Sequence, residues 1–572
     1  MDGADTYLRQ GAFRDICASK KHSVCGASVL ISCWLGSRYS LASCDLSGAT
    51  GRSASDAGYP VVRAMCPEAR GLVFAAGART SMVVLLSVGN WAGAGSWLVP
   101  VRTQLYSKEI KKLVKIYIVR PRYYTHLITP PLALGYLSSA LKMAGYQPLV
   151  IDGLNLGLSN KELADRCDGA DVVGITCCTP FLSEVTDLTA QLKRRKAMVV
   201  IGGPHPTFLP QETRAQTGCD YIVVGEGEQT FPELLDSIAA GRGSDDIPGV
   251  VGESGKLIPR NPIQNLDDIS WPDWSTLHPS SYPLAPYGGV VRRFPVAPVA
   301  STRGCAAACK FCCVPRLSNR RVRFRSPKDI VDEIRMLVRD HGIREVQLID
   351  DNMAARTSHM VGFCEELLRA EISVPWSLPS GIRVDNVSSN LFRLMRRSGC
   401  YSVAFGIETG VQRVLDRIGK GIRVEQVERA VRDAHQAGLI TQGFFILGLP
   451  GDDRWTIEQT IDFARRLPLD KAQFLLLDPL PGSAFWDELI YDQPSSSYRS
   501  FQEAIWTPDG MTKEELMKLQ AYAFRRFFSK PSRLLRMLRM IKPRQVRFVI
   551  RRMRDFGIFS RWRVPRPTER CK

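Results

Sequence analysis

Histidine is scarce in this chain, with seven in 572 residues. No second C-x2-C pair and no H-x3-H pair accompanies the one cysteine cluster. A structural zinc site needs four closed ligands, usually as two spaced pairs, so that class is disfavoured. Nothing like Gly-x-Gly-x-x-Gly follows the first strand-like segment, which disfavours a nicotinamide cofactor. The opening MDGADTYLRQ has two early acids and no apolar run, so it does not read as a signal peptide. Excess charge is missing from most of the chain as well. Residues 521–572 hold 17 Lys and Arg against 2 Asp and Glu, so about 15 of the net +19 sits there. The molecule as a whole is not a nucleic-acid coat; one end of it is basic. The sixteen cysteines are separated by long, enzyme-like segments, which favours reduced thiols in a cytosol.

Residues 1–112 carry no persistent helical or strand period, and their five cysteines lack metal-ligand spacing. They read as a poorly ordered extension, with Met82 as one internal candidate start. The uncharged stretch TSMVVLLSVGNWAGAGSWLVPV is 22 residues long, enough to span a bilayer, but Gly, Asn and Ser dilute it.

Order is expected from Leu113. LVKIYIVRP, QPLVIDG, DVVGITCCTP, AMVVIGGPHP and CDYIVVGEGE read as buried strands, with helical segments between them. That alternation predicts a doubly wound, Rossmann-like α/β domain over 113–242. Residues 243–294 are rich in Pro, Gly, Asp and aromatics and read as a linker packed on its neighbours through Trp271 and Trp274. From 295 to 490 six further strand–helix repeats predict a partial (β/α)6 TIM-type barrel. Polar residues gather at the carboxyl ends of its strands, where such folds place chemistry. Residues 491–572 are expected to be helical and basic.

The cluster RGCAAACKFCC places Cys305, Cys309 and Cys312 as C-x3-C-x2-C in a loop just after a strand. Thiolates are the usual ligands of iron–sulfur clusters. A [4Fe–4S] cluster with three cysteine ligands leaves one iron open. Cys313 adjoins Cys312, and adjacent side chains diverge, so Cys313 reads as a spectator.

C-x3-C-x-Phe-C at the end of the first strand of a partial barrel resembles the signature of the radical S-adenosylmethionine (SAM) enzymes. The resemblance implies that Cys305, Cys309 and Cys312 hold the cluster, that SAM chelates the open iron, and that Phe311 lies beside it. It further implies SAM contacts from Asp350 or Asp351 in IDDNM, from Arg383 in SGIRVD, from Glu408 in GIETG and from Gly448 in GFFILGLPG. The family more often has Gly-Gly-Glu at the IDDNM position, so the ligand to the amino group is left open between the two aspartates. Ordinary readings compete: a helix cap, an ion pair, turn glycines.

VVGITCCTP, VVIGGPHPTFLPQE and YIVVGEGE, in that order ahead of such a barrel, resemble the cobalamin (B12)-binding domain of one branch of that family. The likeness implies contacts from Thr176, Thr179, Gly202, Gly203 and Gly225. The Asp-x-His-x-x-Gly motif that supplies an imidazole to cobalt is absent; the stretch reads RPRYYTHLITPP, and His126 is expected not to be a ligand.

The branch implies methyl transfer to an unactivated carbon of a small or lipid-like molecule, with oxidative cyclisation of the magnesium-protoporphyrin monomethyl ester type as the alternative. It also implies an external electron donor of flavodoxin or ferredoxin type. A non-catalytic electron-transfer module remains as a different class, although such modules usually give their cluster four cysteines. The basic C-terminal region interleaves Leu, Met, Ile and Phe with Arg at helical spacing. It reads as a solvated face or as a peripheral membrane contact of a cytoplasmic enzyme. Nucleic acid is the disfavoured partner.

Overall fold

The computed structural model describes residues 61–66, 69–76, 82–86, 97–101, 111–125, 127–284, 291–489, 504–543, 545–546 and 550. They belong to two compact units, one of residues 1–115, 142–147 and 233–244, the other of 116–141, 148–232 and 245–572.

In the first unit, β1 (Val61–Cys66), β2 (Ala69–Ala76), β3 (Met82–Leu86) and β4 (Trp97–Val101) form an antiparallel sheet in sequence order. The uncharged stretch long enough to span a bilayer thus carries two strands. No helix among the described residues is long and apolar enough to cross a membrane. Of the extension expected to be poorly ordered over residues 1–112, only these four strands and residues 111–112 are described; the rest, and His126, lie outside the described residues.

The second unit holds two six-stranded sheets. The first is built from β5 (Ile116–Arg120), β6 (Leu149–Asp152), β7 (Val172–Thr176), β8 (Met198–Gly202), β9 (Tyr221–Val223) and β10 (Val250–Val251), in the order β10-β9-β8-β7-β5-β6. β5 to β9 are parallel, and β10 runs antiparallel at the edge. The runs of Val and Ile in β7 and β8 are fully buried, as strands covered on both faces must be. The edge strand β10 comes from the segment that reads as linker.

At the end of β8, Gly203 takes φ +116, and a Cβ there would lie 2.5 Å from the Cys177 carbonyl oxygen. The close approach is between the segments that follow two neighbouring strands: Cys177 N donates to Gly202 O at 2.7 Å and His205 N to Cys177 O at 3.3 Å. Gly203→Ala is therefore expected to cost at least about 1–3 kcal/mol from the disallowed φ alone. Urea unfolding of the full chain measures it, with Gly218→Ala (φ +67, open space) as the milder control.

The second sheet is β11 (Val296–Val299), β14 (Glu345–Leu348), β15 (Trp376–Ile382), β16 (Cys400–Glu408), β17 (Ile440–Leu447) and β18 (Lys471–Leu476), all parallel and in that order. Between β11 and β14 a short hairpin, β12 (Thr302–Arg303) with β13 (Arg323–Phe324), brackets the cysteine loop. Helix Pro327–His341 illustrates the connections. Ser326 caps its first turn through Asp329 N, Gly342 ends it at φ +62, and Ile330, Ile334 and Leu337 bury one face. Trp271 and Trp274 donate to Asp329 and Glu333 on this helix, both at 2.9 Å, which ties the intervening segment to the barrel.

The C-terminal region is not simply a solvated tail. Helix Lys513–Phe528 packs on β18, with Phe527 buried against Phe474. Arg533 is 2% exposed, and its guanidinium donates to the carbonyls of Leu469, Phe527, Arg465 and Leu467 at 2.8–3.1 Å.

Candidate active site

The site lies at the carboxyl ends of the second sheet's strands. The first barrel strand stops at Val299, and Asp350, just past the end of β14, grips Ser301 and Thr302 beyond it. Its Oδ1 accepts from Ser301 N (2.8 Å), Ser301 Oγ (2.9 Å) and Thr302 Oγ1 (2.8 Å), and also from Thr302 N. Burial pushes the Asp350 carboxyl up to about 6 against those bonds, and its Oδ2 has no partner among the described residues. Asp351 Oδ2 accepts from Gly304 N at 2.9 Å. Of the two aspartates left open by the sequence, one thus shapes the strand end and the other the base of the cysteine loop.

Gly304 takes φ +95, and a Cβ there would overlap the Arg321 carbonyl and Ser318. Cys305, Cys309 and Cys312 follow in one irregular loop, all partly exposed. Burial raises the Cys309 thiol, opposed by the nearby cations Lys420 and Arg383, and burial pushes Cys312 up to about 12. Arg383 Nη1 stands 3.8 Å from Cys309 Sγ while its Nη2 pairs with Asp385 at 2.6 Å. No three acidic, Cys or His side chains among the described residues converge on one ion. A cubane cluster does not require that, since each cysteine binds a different iron. Three thiols in one accessible loop beside two cations fit that group.

Glu408 ends β16 with φ +68, unusual for a side-chain-bearing residue. It is 6% exposed and pairs with Lys420 Nζ at 2.6 Å. Gly406 leaves the room, because a Cβ there would lie 2.8 Å from Glu408 Oε1 and 2.9 Å from Lys420 Nζ. The turn Gly419-Lys420-Gly421 has both glycines left-handed, and a Cβ on Gly419 would lie 2.7 Å from the Ala308 carbonyl. Lys310 N donates to Ile418 O at 2.9 Å, so the cysteine loop rests on this turn. Lys420 also lies over the Phe311 ring at 5.8 Å. Sequence reading missed Lys420; its signal was the Gly-Lys-Gly turn.

Lys420→Met leaves Glu408 buried without its cation, an expected cost of about 3–5 kcal/mol. Urea unfolding checks it, and the double change with Glu408→Gln should recover most of the loss.

Gly448 directly follows β17, just before Leu449. It is left-handed at φ +79, and the nearest obstacle to a Cβ is Leu516 at 2.7 Å, so its neighbour here is the C-terminal helix. Its N–H donates to Asp452 at 3.1 Å.

On the first sheet the predicted residues share the carboxyl edge. Thr176 ends β7, and buried Thr179 shares a 3.0 Å hydrogen bond with His205 Nδ1. Burial pulls the His205 imidazole down to about 4, so it is neutral. Gly202 ends β8 next to Gly203. Gly225, at φ +78, has nothing within 4 Å of a built Cβ and leaves that edge open, as a bulky planar cofactor needs. Its N–H donates to Thr207 Oγ1 at 3.0 Å.

The two edges are joined by charge. β12 and β13 set Arg303 opposite Arg323. Glu226, in the loop after β9, accepts from Arg303 Nη1 (3.0 Å), Arg323 Nη2 (2.7 Å) and Arg323 Nη1 (2.9 Å). Glu228 takes the other Arg303 nitrogen at 2.6 Å, and Tyr136 lies against that guanidinium at 4.9 Å. Burial alone would raise the Glu226 carboxyl, but the two arginines outweigh it and hold it below the usual carboxylate range.

Comparison with known proteins agrees with this layout. The family model of the radical SAM superfamily matches residues 299–464, and that of the B12 binding domain matches 124–235. An uncharacterized methyltransferase of Pyrococcus horikoshii is 31% identical over 449 residues, 74% of this chain and 95% of the relative. The anaerobic magnesium-protoporphyrin IX monomethyl ester cyclase of Rubrivivax gelatinosus is 31% identical over 418 residues, 70% of this chain and 74% of the relative. Among solved structures, the radical SAM methyltransferase TsrM of Kitasatospora setae shares the fold with a TM-score of 0.58 at 18% identity, over 76% of this chain and 90% of that one. The chain belongs to the radical SAM superfamily, in the branch whose barrel is joined to a B12-binding domain, and its cofactors are a [4Fe–4S] cluster, SAM and cobalamin.

Proposed function

We propose that this chain is a methyltransferase that acts on an unactivated carbon of a small or lipid-like metabolite. Residues 113–242 serve as the cobalamin domain and 295–490 as the radical SAM barrel. The observation that carries the reading is one compact unit in which the loop of Cys305, Cys309 and Cys312 and the open edge at Gly225 are tied by Glu226 and Arg303. When bound, the three cofactors supply one-electron cleavage of SAM and carriage of a methyl group. The chain's own part is placement. The three cysteines hold the cluster, and Phe311, Arg383 and Glu408, backed by Lys420, shape the SAM side. Asp350 and Asp351 fix the strand end beneath the loop. Thr176, Thr179, Gly202, Gly203 and Gly225 line the cobalamin edge.

Methyl transfer is favoured over cyclisation because the methyltransferase relative matches along 95% of its length and the cyclase along 74%. The test supplies SAM with a deuterated methyl group, a flavodoxin or ferredoxin type donor, and a substrate panel. Product carrying the labelled methyl supports the reading. A product that loses hydrogen and closes a ring without label would replace it with cyclisation.

The enzyme works in the cytoplasm with a peripheral membrane contact through its basic end. Support comes from Leu535 and Leu538, which are 50% and 55% exposed beside Arg536 and Arg539. Truncation at 524 would also remove the buried Phe527, so Leu535→Asp with Leu538→Asp is the cleaner variant. It should lose binding to anionic vesicles; no binding by the unaltered protein would end this part.

A further inference from the structure

Most buried carboxylates of the second unit are partnered. Glu345 accepts from Tyr401 Oη and Arg293 N at 2.7 Å, Glu333 from Arg325 at 2.6 Å, and Asp452 from Thr456 Oγ1 at 2.8 Å. Asp478 differs. Neither of its oxygens has a hydrogen-bond partner among the described residues, and both are shut off from solvent. Burial alone pushes this carboxyl up to about 7. Leaving such a group unpaired is destabilising.

Its place in the fold is also distinctive. Asp478 follows the last barrel strand at its carboxyl end, one residue after Leu477 N donates to Leu447 O at 3.0 Å. The segment from Asp478 through the helix Ala484–Leu489 then meets both halves of the site. Gly482, at φ +83, packs so closely on the Phe208 ring that a Cβ would overlap it. Phe208 ends the helix that begins just after Gly203. On the other side, Phe485 N donates to Lys310 O at 3.0 Å, inside the cysteine loop. Glu488 pairs with Lys310 at 3.2 Å and Asp487 with Arg316 at 2.6 Å. The unpaired carboxyl therefore sits on a strap between the cysteine loop and the cobalamin domain.

We propose that Asp478 is a substrate-binding residue whose carboxylate accepts a hydrogen bond from a hydroxyl or protonated amine of the substrate. This rests on the reading of the site as a radical SAM active site. It narrows the substrate to molecules that carry such a donor, since a site built around an unpaired acceptor rejects analogues lacking one.

The test uses the full chain with cluster and cobalamin loaded, as wild type, Asp478→Leu and Asp478→Asn, with cluster content as the control for folding. Methylammonium is the probe and tetramethylammonium its donor-free counterpart. Asp478→Leu should melt above the wild type, because an unpaired buried carboxylate has gone. Methylammonium should stabilise the wild type at concentrations about tenfold or more below tetramethylammonium, the preference expected for a charged hydrogen bond. That preference should vanish in Asp478→Leu. The proposal is overturned if both variants melt below the wild type with cluster content intact, which would mark a structural residue. It is equally overturned if wild type and Asp478→Leu respond to the two probes alike. None of these readouts involves methyl transfer, so their failure would leave the proposed function standing.

Discussion

Cys309→Ala is expected to remove the iron–sulfur cluster and with it all reductive cleavage of SAM, while Cys313→Ala keeps both. Iron content, the cluster's visible absorbance and 5′-deoxyadenosine formation read the pair together. Cys309 is held beside Arg383 and Lys420, cations that offset the cost of a half-buried thiolate. Cys313 instead begins the short helix Val314–Leu317, and its carbonyl accepts from Leu317 N at 3.0 Å. A backbone duty of that kind does not depend on the side chain. Loss of the cluster in Cys313→Ala would show that the three-ligand assignment is wrong.

Glu226→Ala is expected to destabilise the chain by about 2–4 kcal/mol, somewhat less than for a fully buried pair because Glu226 keeps 21% side-chain exposure. Without it, Arg303 and Arg323 face each other across two strands, and like charges in that position repel. The hairpin that would relax leads directly into Gly304 and Cys305. The loss should therefore appear twice, as a lower urea midpoint and as weaker retention of both cluster and cobalamin. Glu226→Ala combined with Arg323→Met should recover much of it. The pH dependence has a definite sign. A carboxyl held below its ordinary range contributes stability in full above the unfolded carboxylate pKa, and the contribution is lost as pH falls through the lower folded value. An Asn or Gln at this position would remove that acid dependence.

Much of this architecture was legible from residue order. The strands of both sheets are runs of Val, Ile and Leu bounded by Gly and Pro, and burial on both faces demands such runs. The cysteine spacing pointed to the cluster because all three proposed ligands lie within eight residues. What stayed hidden depends on distant partners. Glu226 meets Arg303 and Arg323 across 77 and 97 residues, which no local period reveals. FPVAPVASTRGC reads as one strand, yet it breaks after Val299, and Asp350, 49 residues on, captures Ser301. Asp478 sits in KAQFLLLDPLPG, which reads as a strand; only the absence of a hydrogen-bond partner among the described residues sets it apart. The contact of Gly448 with Leu516, a residue beyond the barrel, likewise had no local signal.

The most direct measurement of the central claim is 5′-deoxyadenosine formation from SAM by the anaerobically reconstituted full chain with dithionite. The account predicts that it forms, that it requires Cys305, Cys309 and Cys312, and that it survives Cys313→Ala. An intact cluster that yields no 5′-deoxyadenosine would contradict it and leave an electron-transfer module in its place.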